Sequence, residues 1–179
     1  MTYKKEAIVL DKLNKEIKFK QTPIIQSIST SNFSLLEIIC DSDKSVKIFD
    51  TISTEDQIVR RITYDRLTDT SKKELEKAIE TIVLTNTNKF VDFFNTAKPI
   101  GLRRHQLDLL PMIGVKHRMA ILEHLKKHGK FTSFDDIRKI EMLPDPVNII
   151  TNRVLEEIKE GQNNKFNLFT VPFLKPINQ

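Results

Sequence analysis

The spacing of apolar residues changes period near Tyr64, and that change limits what the chain can fold into. Before Tyr64, short runs rich in Ile, Val and Phe are separated by Asn, Asp, Ser and Pro; after it, apolar residues recur at steps of three and four. The first pattern belongs to strands and turns, the second to amphipathic helices. Candidate strands fall at 6–10, 16–19, 24–28, 33–40, 46–49 and 58–64, with the Asp-Ser-Asp-Lys-Ser stretch 41–45 as a turn. So many short strands in so few residues are expected to close into a small barrel. An OB-type barrel is one natural candidate, and a generic small sheet fits equally well. Arg60 and Arg61 are adjacent in the last strand and must point to opposite faces. One is placed to reach a ligand and the other a carboxylate, or both are solvated strand-end charges.

After Tyr64 the helices follow. Thr68, Asp69, Thr70 and Ser71 are all N-cap candidates, Ser71 and Glu74 have capping-box spacing, and Leu75, Ile79, Ile82 and Val83 then fall on one face. Asn86-Thr87-Asn88 breaks that helix. Phe90, Val91, Phe93 and Phe94 form a second apolar helix before Pro99, and are read as core rather than as a base-stacking platform. A short helix over 103–110 with Leu107 and Leu110 inward leads to a hairpin. A helix over 115–128 follows, with Val115, Met119 and Leu122 at helical spacing and Gly129 as its cap. Ser133, Asp135 and Asp136 start another helix. Leu143-Pro144-Asp145-Pro146 makes a second hairpin, and a last helix runs over 147–160.

Positive charge is concentrated. Between 98 and 130, eight Lys and Arg stand against Asp108 and Glu123, a net +6 in a chain of net +5, and all four histidines lie there too. Such clustering points to an anionic partner. At its centre is Leu110-Pro111-Met112-Ile113-Gly114-Val115-Lys116. Pro111 cannot sit inside a helix, and Gly114 allows a sharp turn. The helix beginning there points unpaired N–H groups outward as a phosphate site, with Lys116 and Arg118 beside it. An ordinary helical turn is the plain alternative.

No apolar run is long enough to span a membrane, and the run 7–10 is too short for a signal peptide. The single cysteine, Cys40, excludes an internal disulfide and reads as a small buried hydrophobe in a cytoplasmic protein. His117, His124 and His128 share a helix face, but without a second element or a Cys partner no metal site is expected. No phosphate loop, nucleophile elbow or paired-carboxylate pattern is present, so no catalytic residues and no cofactor are assigned.

An internal repeat appears at an offset of 33, with Leu110-Pro111 on Leu143-Pro144 and Leu122-Glu123 on Leu155-Glu156. Val147 then stands where the first copy has Gly114, and the second copy is read as a structural partner without an anion site.

Leu110-Pro111-x-Ile113-Gly114-x-Lys116 resembles a helix-hairpin-helix motif, a phosphate binder that does not read sequence, and its duplication resembles tandem helix-hairpin-helix domains. From residue 60 onward the chain also resembles a family of uncharacterised archaeal nucleic-acid-binding proteins with a domain of unknown function. The matching stretches include Arg60-Arg61-Ile62-x-Tyr64, Phe90-Val91-x-Phe93-Phe94-Asn95 and Arg103-x-His105-Gln106-Leu107. They continue in Phe131-x-Ser133-Phe134 and Leu143-Pro144-Asp145-Pro146. Met112 departs from the motif, which carries glycine there. The resemblance implies a two-domain α+β fold: an OB-like β-barrel over 1–66, then an all-α tandem helix-hairpin-helix domain over 67–161 (copies 98–130 and 131–160). A tail over 162–179 is then a candidate strand for the barrel. It implies a non-catalytic protein gripping a phosphate backbone through Arg103, Arg104, His105, Gly114, Lys116, His117 and Arg118. Phe33 and Arg60 would contact a single strand on the barrel. RNA is favoured over DNA, because genes of such proteins are expected near those for translation; the ribosome is a candidate partner. The other readings are a DNA-repair or recombination protein and a protein–protein interaction module.

Overall fold

The computed structural model describes residues 5–17, 20–39 and 45–172. Two compact units divide the chain, one built from 1–79 with 157–179 and the other from 80–156.

The first unit carries five strands: β1 (Glu6–Ile17), β2 (Lys20–Ser29), β3 (Leu35–Ile39), β4 (Thr51–Ser53) and β5 (Ile58–Arg61). They pair antiparallel in the order β4-β1-β2-β3-β5, so β4 and β5 are free edges and the sheet is an open half-barrel. Two long helices, α1 (Asp69–Thr85) and α5 (Pro146–Glu160), each run through a division between units. The fold is therefore α+β, but the expected OB-like barrel followed by a separate all-α tandem helix-hairpin-helix domain is overturned. The sheet does not close, and helical segments belong to both units.

β1 and β2 are longer than the short strands expected, for a reason visible along β1. Lys12, Asn14 and Glu16 are exposed while Asp11, Leu13 and Lys15 are half-buried, which is the alternation of a strand with one wet face. Read one by one, those polar residues look like breakers. Residues 46–49 form no strand; Phe49 takes φ 71° and its N–H donates to the Val9 carbonyl at 2.9 Å. Phe33 is also left-handed, at φ 59°, and only 2% exposed, so it is a buried turn residue rather than a contact for a single strand. Cys40 and most of the 41–45 turn lie outside the described residues. Residues 164–172 contain no strand, and Phe173 lies outside the described residues.

One face of the sheet buries Ala7, Val9, Ile25 and Ile38, with Leu36, Val46 and Ile52 against them. A row of polar residues crosses four strands, Asp11 opposite Gln26, Gln26 opposite Glu37, and Glu37 opposite Arg60. Gln26, fully buried, accepts from the Thr68 N–H at 2.9 Å and the Ser71 hydroxyl at 2.8 Å, and donates to the Arg66 carbonyl at 3.0 Å. Asp11 accepts from the Thr68 hydroxyl at 2.7 Å, and Glu37 pairs with Lys15. These bonds seat the start of α1 on the sheet. The cap is Thr68, whose hydroxyl accepts from the Ser71 N–H at 3.1 Å. Thr68 is one of the four cap candidates at 68–71, and Ser71, which has capping-box spacing to Glu74, is buried within the first turn.

In the second unit α2 (Thr87–Thr96) follows Asn86, where the break was expected, and buries Phe90, Val91 and Phe94. The expected helix over 103–110 shrinks to a 3-10 turn at Gln106–Leu109, preceded by a loop that Pro99 and His105 bridge. Then come α3 (Val115–His128), closed by Gly129 at φ 86°, and α4 (Phe134–Arg138), capped by the Ser133 hydroxyl. The Asn95 amide holds both the N–H and the carbonyl of Phe131, at 2.8 and 2.9 Å. Leu107, Leu110, Ile121, Phe131, Phe134, Ile137, Ile149, Ile150 and Val154 are buried within this unit.

Candidate functional site

Residues 110–113 make a tight turn in which the Ile113 N–H donates to the Leu110 carbonyl at 3.3 Å. Proline second and a left-handed residue third are what a type II turn requires. The left-handed residue is Met112, at φ 62°, and not Gly114. Gly114 is extended (φ −99°, ψ 179°), an angle open to any residue, so its expected role as the sharp-turning residue is corrected. A Cβ built on Gly114 meets nothing within 4 Å. Neither backbone angle nor protein packing demands glycine there; what it leaves is open space in front of α3.

That space faces unpaired donors. The first bond within α3 runs from the Arg118 N–H to the Gly114 carbonyl, at 3.0 Å. The N–H groups of Val115, Lys116 and His117 come before it and meet no acceptor among the described residues, as at any uncapped helix start. His117 folds back, its Nδ1 lying 3.1 Å from the Met112 carbonyl and 3.4 Å from the Gly114 nitrogen. With one proton to place, Nδ1 either donates to the carbonyl or accepts from the N–H.

The basic residues expected here separate into two kinds. Lys116, Arg103 and Arg104 are exposed, with no ion-pair or hydrogen-bond partner for their side chains among the described residues; the two arginines stand on the 98–105 loop instead of a helix. Arg118 is spent internally on Asp108 at 2.5 Å, the two side chains 19% and 23% exposed. His105 is buried and caps the 3-10 turn. Its Nδ1 accepts from the Leu107 N–H at 3.2 Å while its own N–H donates to Asp108 at 2.8 Å. Burial pushes its pKa below the ordinary histidine value, with Arg118 adding to the shift and Asp108 opposing it. His105 and Arg118 thus build the hairpin and do not line it. Arg60 belongs to the other unit, exposed on β5 opposite Glu37, and its neighbour Arg61 donates to the Val171 and Pro172 carbonyls.

A second turn at 140–143 repeats the first, with the Leu143 N–H on the Ile140 carbonyl at 3.3 Å and Met142 at φ 59°. The turns therefore align at an offset of 30, and the offset of 33 read from Leu-Pro is corrected. Pro144 follows its turn, and Pro146 is the first residue of its helix. Asp145 occupies the helix start. One carboxylate oxygen accepts from the Val147 and Asn148 N–H groups at 2.9 and 3.3 Å, and the other from Arg138 at 2.6 Å. Burial alone would raise the Asp145 pKa; the bonds from Arg138 and the two amides outweigh it and hold the group below its ordinary value.

Val115 and Met119 stand with Leu122 at helical spacing on α3, but they do not share its burial. They are 63% and 56% exposed, and with Met112 at 52% they form an apolar ridge beside Lys116. The buried side of α3 is Ile121, supported by Leu122 and Leu125. The signal for this was the weak amphipathicity of α3, in which Val115 and Met119 lie on the side that carries Lys116 and Lys126 and away from Ile121.

The first unit holds a cleft of about 270 Å³ between 33–35, 61–65 and 157–172. Glu157 at its wall already accepts from the Leu168, Phe169 and Thr170 N–H groups at 2.7–3.1 Å. No helix among the described residues is long and apolar enough to cross a membrane.

The family described as "Protein of unknown function (DUF655)" matches residues 3–171. An uncharacterized protein of Methanocaldococcus jannaschii is 32% identical over 154 residues, spanning 82% of this chain and 70% of that protein. The crystal structure of Af1531 from Archaeoglobus fulgidus, assigned to the same family, is similar at a TM-score of 0.82 and 35% identity. That match covers 93% of this chain and 99% of the other.

Proposed function

Because the chain belongs to the DUF655 family, whose description names no activity, we propose a function from its own geometry: a non-catalytic, cytoplasmic nucleic-acid-binding protein. It grips the phosphate backbone with the 106–128 segment in the manner of a helix-hairpin-helix. The observation that carries this reading is the open start of α3, where Gly114 leaves room and the amides of Val115 and Lys116 have no acceptor among the described residues. Those amides and the positive end of the helix dipole hold a phosphate oxygen. Lys116 supplies a full charge beside it, and Arg103 and Arg104 add exposed charge on the 98–105 loop. Contacts of this kind position a backbone without reading bases, so binding is insensitive to sequence and steeply sensitive to salt.

Two substitutions test this. G114A is compatible with φ −99° and clashes with nothing, and at an N-cap costs about 1 kcal/mol of stability at most. Its methyl stands where the phosphate approaches, so affinity falls about tenfold for every sequence. K116A lowers affinity and reduces the slope of log affinity against log salt by about 1. Fluorescence anisotropy across a salt series measures both. Unchanged affinity in the two variants, or no binding by the parent at low salt, overturns the reading.

A further inference from the structure

We infer that the ligand of this site is duplex RNA, met by the apolar ridge Met112, Val115 and Met119 against the sugars of its minor groove. This rests on the proposed function and narrows it to one class of nucleic acid. Val115 and Met119 stand one helical turn apart on α3 and Met112 lies in the turn before it, all more than half exposed, with Lys116 among them. Exposed apolar side chains clustered in this way mark a contact surface.

Charge selects the occupant. Lys116, Arg103 and Arg104 face solvent, while the acidic group of this hairpin, Asp108, is consumed by Arg118 and the His105 N–H. An anion at the start of α3 therefore meets no exposed carboxylate on the 110–118 turn, and the exposed Glu123 further along the helix is paired with Lys127. The exposed methionine of the second hairpin, Met142, stands beside exposed Glu141 and close to Asp145, and such a surface repels phosphate.

Shape selects among nucleic acids. Single strands are held by stacking bases on exposed aromatic rings. In the 80–156 unit Phe90, Phe94, Phe131 and Phe134 are buried and Phe93 is half-buried, so no exposed phenylalanine ring is offered, and the exposed His128 lies at the far end of α3 from Gly114. The minor groove of B-form DNA is about 6 Å wide, too narrow for a helix end about 10 Å across. The major groove of B-DNA admits a helix but is read by hydrogen-bonding side chains, and the ridge offers none except Lys116. The minor groove of A-form RNA is wide and shallow and displays sugars, which suits an apolar ridge flanked by cations.

The experiment uses the full chain with three probes: a blunt duplex RNA, the duplex DNA of the same sequence, and one RNA strand alone. Duplex RNA is expected to bind about tenfold tighter than either of the others. The V115S/M119Q double variant, checked for folding by circular dichroism, loses about tenfold for duplex RNA and keeps the parental salt slope, because no cation is removed. Duplex DNA or single strand binding as well as duplex RNA, or an unchanged affinity in V115S/M119Q, overturns this inference and leaves the proposed function standing. Failure of all three probes to bind at low salt overturns the proposed function, and this inference with it.

Discussion

The turns at 110–113 and 140–143 share a left-handed methionine and one hydrogen bond, and differ in what occupies the helix start behind them. Behind the first is Gly114, with no side chain and open space. Behind the second is Asp145, whose carboxylate takes two amides and Arg138. The same backbone device thus occurs once open and once filled by the protein's own anion. A carboxylate bound in this way is a crude stand-in for a phosphate oxygen, held by the groups that the proposal assigns at Gly114.

The largest expected effect comes from moving that carboxylate. G114D should reproduce the Asp145 cap on α3, keeping or raising the melting temperature, while nucleic-acid affinity drops about a hundredfold. Retained affinity would remove the link between the open cap and binding. Next is D108A, which leaves the mostly buried Arg118 unpaired and uncaps His105; stability should fall by about 2 kcal/mol, read by urea denaturation. D145A removes a cap and an ion-pair partner from the second hairpin, for a loss of about 1 kcal/mol with unchanged nucleic-acid binding. M112G and M142G relieve a left-handed non-glycine residue and should each stabilise by about 0.5–1 kcal/mol, equally if the turns are equivalent.

The smallest effect separates the hairpins by pH. The His105 pKa is depressed in the folded chain, so its contribution is complete above the ordinary value of about 6.5 and is lost as pH falls toward the folded value. The Asp145 pKa is also depressed, and its contribution persists until pH falls below about 3.9. H105N keeps a capping acceptor without the titration, so its melting temperature should vary less than the parent's between about pH 7 and pH 5. A parallel decline in both proteins would show that His105 is not the group responsible.

Features set by local chemistry were legible in the sequence. Gly129 and Ser133 cap helices, Asn86 marks a break, and Phe90 and Phe94 are core, because each depends on near neighbours. Features set by distant partners were not. The length of β1 depends on β2 pairing with residues that individually disfavour strands, and the seating of α1 depends on Gln26, which is 45 residues before Ser71. At the candidate site the position of Lys116 was legible, but glycine drew attention to the wrong angle. Met112 pays the conformational cost, and Gly114 only leaves room. Arg118 and His105 looked like ligand contacts because sequence does not show Asp108 reaching both.

The first unit is discontinuous in the chain, and this bears on its folding during synthesis. Residues 157–172 reach the sheet-bearing unit only after the whole of 80–156 has been made. Arg61 must wait for the Val171 and Pro172 carbonyls, more than a hundred residues downstream, as the open positions near β5 wait for Glu157 and the strap it holds. Contacts of such long sequence separation form late. The 80–156 unit, whose described hydrogen bonds span much shorter intervals, can therefore organise on the ribosome while the first unit, its five strands already made, still lacks residues 157–172.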